Sequence, residues 1–93
     1  MTKCKCLDIM VGPECLATNA DVLRERLYNA LRGEYSEIYL DFTDTLHMDA
    51  AGVGVIAAVI FEGRRRGYSI LMKGASGSVL DILTATGLYR KGN

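Results

Sequence analysis

Met48-Asp49-Ala50-Ala51-Gly52-Val53-Gly54-Val55-Ile56-Ala57-Ala58-Val59-Ile60-Phe61 decides how the rest of the chain is organised. From Ala50 onward it holds twelve consecutive apolar or glycine residues, short of the ~20 that a membrane-spanning helix needs and too long for one strand. Asp49 supplies an N-cap whose carboxylate accepts from the unpaired amides of a first helical turn. Glu62-Gly63-Arg64-Arg65-Arg66-Gly67 ends the helix, with basic residues that complement its carboxyl end. Gly52 and Gly54 have no propensity reason to be helical, since each costs about 1 kcal/mol against Ala. Close packing explains them: the helix backbone approaches a sheet there, or it presents a smooth surface outward. The chain carries neither GxxxxGK[ST] nor a GxGxxG after a strand, which excludes a phosphate-binding glycine loop.

Working outward, Ile38-Tyr39-Leu40-Asp41-Phe42 reads as a central strand. Cys4 to Val11, closed by Gly12-Pro13, reads as an edge strand with Cys6 or Leu7 setting the phase, and Cys15-Leu16-Ala17 as a brief extended piece. Ala20, Leu23, Leu27, Ala30 and Leu31 recur at helical spacing, predicting a helix over about 20–32 with Thr18 as N-cap and Gly33 in the C′ role. Tyr68-Ser69-Ile70-Leu71-Met72 is a third main strand. Ser76 then caps a short helix, with Val79, Ile82 and Leu83 inward, that Gly87 closes and Leu88 contacts. The order βαβαβα predicts an α/β fold: a small, mainly parallel or mixed sheet of about four strands covered by three helices.

The chain has 93 residues and 10.2 kDa, which confines residues 1–93 to a single domain. Its net charge is zero: residues 1–49 carry five basic and nine acidic side chains, residues 50–93 six and two. No overall positive charge or aromatic interleaving accompanies Arg64-Arg65-Arg66, so nucleic acid is not an expected partner. Three cysteines, at 4, 6 and 15, with no signal peptide before them, point to a reducing cytoplasm, with no direct membrane insertion. Their spacing is no zinc site, and no cofactor or metal is expected. Asp41, Asp44, His47 and Asp49 lie within nine residues, yet no nucleophile at a strand-to-helix elbow, second His or convergent metal set accompanies them. His47 reads as a surface residue before a buried Met48, and the chain as no enzyme.

The run Met48-Asp49-Ala50-Ala51-Gly52-Val53-Gly54-Val55-Ile56, with the strand ending near Asp41 before it and Thr86-Gly87-Leu88 after it, resembles the STAS family. The likeness is strongest to bacterial sporulation anti-sigma factor antagonists. It implies a binding switch without chemistry of its own. Such an antagonist docks on an anti-sigma factor kinase through the start of the second helix and the groove beside the third, which places Asp49, Ala50, Ala51, Gly52, Val53, Gly54 and Ser76 in the partner surface. The kinase then phosphorylates the first serine after the aspartate, adding about −1.5 to −2 charge at the helix start. That serine is Ala50 here and its neighbour is Ala51, so neither accepts phosphate. The departure leaves a permanently binding-competent antagonist, a scaffold subunit regulated through its partner, or an engineered, non-phosphorylatable switch.

The resemblance also implies a further C-terminal strand and helix after Gly87-Leu88 that this chain lacks. In that respect it is similar to the small STAS subunits of bacterial ABC-type lipid transporters, which makes the transporter's ATPase subunit the alternative partner. Apolar area left uncovered by a missing helix would suit a partner or a second copy, hence a homo-oligomer.

Overall fold

A computed structural model describes residues 5–89. Strands β1 (Cys6–Met10), β3 (Glu37–Asp41) and β5 (Ser69–Lys73) form a parallel sheet in the order β1-β3-β5, so Ile38 to Asp41 is central and the first strand lies at an edge, as the sequence predicts. Two further strands, β2 (Glu14–Cys15) and β4 (His47–Met48), pair in parallel as a separate two-residue ladder. The helices are α1 (Ala20–Ala30), α2 (Ala50–Arg65) and α3 (Gly77–Ala85), and a 3-10 turn over Ala17–Asn19 leads into α1.

Register decides where the core sits. Side chains alternate across a strand, so Leu7, Ile38 and Ile70 form one row and Ile9, Leu40 and Met72 the next. Both rows lie in or against the core formed by Leu23, Leu27 and Leu31 with Val55, Ile56 and Val59. The other face carries Asp8, Tyr39 and Leu71 in one row and Met10, Asp41 and Lys73 in the next. The helices therefore cover one face of the sheet. On the open face Lys73 Nζ lies 3.2 Å from Asp8 Oδ2 and 5.3 Å from the centre of the Tyr39 ring, a cation–π contact across all three strands.

Several local expectations need correction. Thr18 is not the α1 cap: it lies inside the 3-10 turn, and Asn19 holds the N-cap position. Asn19 spends its side chain backwards, accepting from Leu16 N at 2.8 Å and donating to Glu14 O at 2.7 Å. Gly33 is not among the positive-φ glycines, so the αL cap is not its role, and a Cβ there would overlap the Tyr35 ring. Gly87, at φ +79°, does close α3 in the left-handed conformation. His47 is exposed as expected but lies in a strand, and Met48 is partly rather than fully buried. Arg65 and Arg66 both engage Glu62, at 2.9 and 2.8 Å, which ties two of the three adjacent arginines into the helix end.

Candidate functional site

The start of α2 is held by one carboxylate. Asp49 has extended backbone angles, and its Oδ1 accepts from Gly52 N at 2.9 Å, the cap read from the sequence. Its Oδ2 accepts from Ala17 N at 3.0 Å, an amide 32 positions earlier at the start of the 3-10 turn. Asp49 thus anchors the entry to α1 as well as its own helix. The Ala17 amide and then that of Gly52 stabilise the ionised form and hold its carboxyl below the usual 3.8. Its own N–H donates to Cys15 O at 3.2 Å, beside the β2–β4 ladder.

Beneath the helix start lies Cys15, fully buried, its thiol pushed up to about 11 by burial and then by the neighbouring Asp49 charge. Gly52 packs on it so closely that an added Cβ would overlap the Cys15 carbonyl oxygen and sit 2.8 Å from Sγ. A Cβ at Gly54 meets nothing within 4 Å. The two glycines therefore realise the two alternatives separately: Gly52 lets the backbone approach, and Gly54 leaves an open surface. Ala50, Ala51 and Gly54 are exposed, Val53 is half-buried and Gly52 is buried.

The loop before β4 completes this end of the molecule. Thr45, buried, donates from Oγ1 to Gly12 O at 2.7 Å, and Leu46 N donates to Pro13 O at 2.9 Å. This fixes a loop whose Leu46 side chain is 65% exposed. Nothing in the sequence marks Leu46, because an apolar residue in a short loop carries no periodic signal. α3 packs against β4, and Ser76, at its N-cap, is exposed and makes no side-chain cap hydrogen bond. Asp41, at the end of β3, is engaged locally. It accepts from Thr43 N at 2.8 Å and from the Thr43 hydroxyl, and these bonds lower its pKa. Among the described residues no group of three or more His, Cys, Asp or Glu side chains is placed to hold a metal ion. Among them, too, no helix is long and apolar enough to cross a membrane.

The family model of the STAS domain matches residues 4–92. This chain belongs to the STAS family. Its fold is similar to that of the Bacillus cell-fate determinant SpoIIAA in its phosphorylated form, with TM-score 0.71 and 19% identity over 95% of this chain and 80% of that one. The anti-sigma factor antagonist SpoIIAA in its unphosphorylated form gives TM-score 0.77 and 20% identity over 95% and 77%. Among curated proteins no sequence match was found. Within the STAS fold, the α2 start built by Asp49 follows β3, the connecting loop and the two-residue strand β4.

Proposed function

We propose that this STAS domain is a non-catalytic protein-binding module of the anti-sigma factor antagonist kind, acting in the cytoplasm on an anti-sigma factor kinase-like partner. The docking surface comprises Asp49, Ala50, Ala51, Val53 and Gly54 at the start of α2, with Gly52 setting its depth, and extends to Ser76, the N-cap residue of α3, which packs on β4. The observation that carries the reading is the construction of this helix start. One carboxylate fixes two helices, while the exposed positions after it are small and lack any hydroxyl. A rigid, flat surface of this kind, with no charge beyond the Asp49 carboxylate, suits the binding-competent state of a switch, and Ala50 and Ala51 remove the phosphate acceptor that would end it. Leu46 adds an exposed apolar side chain from the neighbouring loop, suited to anchor a partner.

The test is a binding titration against such a partner. Ala50→Asp places a charge where a phosphate would stand, and is expected to weaken binding about fivefold, or roughly 1 kcal/mol. With ATP and the partner present, residues 48–56 should gain no phosphate, whereas Ala50→Ser creates an acceptor. Unchanged affinity in a folded Ala50→Asp variant refutes the surface. An ABC transporter ATPase retained in place of the kinase refutes the partner and keeps the surface.

A further inference from the structure

The exposed edge of β5 carries a second feature, independent of the docking surface at the α2 start. Ser69 N donates to Ser36 O, and Lys73 O accepts from Phe42 N, so the backbone groups of residues 69, 71 and 73 point toward β3. Those of Ile70 and Met72 therefore point away from the sheet, where no described strand pairs with them. Edge strands are commonly protected by a lysine or proline. The strand SILMK has no proline, and its lysine lies over Tyr39 with its ammonium at Asp8, away from the edge. On the helical side of this edge, Ile60, Arg64, Leu88 and Tyr89 wall a groove of mixed polarity against Ile70 and Met72. Phe61, 70% exposed, flanks it.

We infer that the β5 edge is the interface of a two-fold symmetric dimer, in which two copies of this chain join their sheets by antiparallel β5–β5 pairing centred on Leu71. The edge is self-complementary about that residue. Ile70 of one copy faces Met72 of the other, so the outward amides and carbonyls of both satisfy each other. Ser69 faces Lys73, which keeps like charges apart. Leu71, 40% exposed on the open face, meets its own counterpart in the non-hydrogen-bonded position, where side chains approach most closely. A two-fold axis perpendicular to the sheet leaves both helical layers on one side and brings the two grooves, with their Ile60 and Leu88 side chains, together beneath the joined edges. The opposite edge does not offer the same solution. The outward groups of β1 belong to Cys6, Asp8 and Met10, and the register that uses all three sets Asp8 against Asp8.

Sedimentation equilibrium on the full chain should show a dimer that dissociates by mass action. Leu71→Lys places two ammonium groups opposite each other without touching the core. It should raise the dissociation constant at least about tenfold, while circular dichroism stays native. Leu71→Cys, with Cys4→Ser and Cys6→Ser, should form a disulfide-linked dimer on mild oxidation, because a non-hydrogen-bonded pair brings Cα atoms to about 4.5 Å. Ser69→Cys in the same background should not, since it faces Lys73. A monomer at every concentration, a dimer indifferent to Leu71→Lys, equal cross-linking at both positions, or open-ended growth through β1–β5 contacts would each overturn the inference. If Leu71→Lys fails to fold, the cross-linking pair decides alone.

Discussion

Gly52 and Gly54 lie two residues apart in α2, and replacing each with alanine should move stability in opposite directions. Relieving a helical glycine contributes up to about 1 kcal/mol at either site. At Gly54 nothing opposes that gain, since a methyl group there meets no atom within 4 Å. Gly54→Ala is therefore expected to stabilise the domain by about 0.5 to 1 kcal/mol and raise its Tm by a few degrees, on the order of 4 °C. At Gly52 the added carbon would overlap the Cys15 carbonyl oxygen and lie 2.7 Å from its carbon. The neighbour is backbone held by the β2–β4 ladder and by Asp49 N–H, so no rotamer change relieves the overlap. The helix start would have to retreat by about 1.5 Å from the Cys15 carbonyl oxygen to restore ordinary contact at ~3.5 Å. Overpacking of this kind costs about 1 to 3 kcal/mol or more and exceeds the propensity gain, leaving Gly52→Ala destabilised by about 2 kcal/mol. Urea unfolding of the three proteins with a common m-value measures both changes. A Gly52→Ala protein as stable as the parent would refute the close-approach explanation. The same pair also separates stability from binding, because Gly54→Ala should weaken the partner complex while strengthening the fold.

Leu46→Ser should leave urea stability within about 0.5 kcal/mol, as expected for an exposed site, yet lower partner affinity about fivefold or more in a titration. Asp49→Asn keeps one accepting oxygen and turns an amino group toward the Ala17 amide or the Gly52 amide, so thermal melts should fall, and Asp49→Ala should fall further. Glu62, held down to about 2 by Arg65 and Arg66, has a folded pKa below its usual 4.5, so its contribution is full above pH 4.5 and is lost as pH falls toward 2. Glu62→Gln should flatten that part of an acid-unfolding curve. In the native protein at pH 8, iodoacetamide should label exposed Cys6 and spare buried Cys15, since a thiol at about 11 holds about a hundredfold less thiolate than one at the usual 9.0; mass spectrometry of the two peptides reads the difference.

The features legible in the sequence are those with local causes. Alternation and β-rich composition placed the three main strands, and Pro13 just beyond the first marked it as an edge. Asp49 before a twelve-residue apolar run gave both the helix and its cap. Features that depend on a distant partner were not legible. The bond from Ala17 to Asp49 joins positions 32 apart, and the β2–β4 ladder is two residues long on each side, too short to show a period. Hydroxyl preference favours Thr18 as the cap but says nothing about a preceding 3-10 turn, in which Asn19 is used backwards. Gly33 looked like a terminator, whereas its small size makes room for Tyr35. The open face was partly written in Asp8, Asp41, Ser69 and Lys73, but only the parallel register shows that these alternate residues share one side.

Asp49 has a consequence for the order of events in folding. Every strand pair among the described residues is parallel, so none of them is a hairpin that can form early, and each pairing closes a loop of about thirty residues. The carboxylate joins its two helix entries only after the chain on both sides of that loop has arrived. A nascent or locally unfolded chain, even with α2 formed, lacks the fixed helix start. A partner that grips this surface therefore selects completed molecules, and its binding energy adds to their lifetime against unfolding and proteolysis.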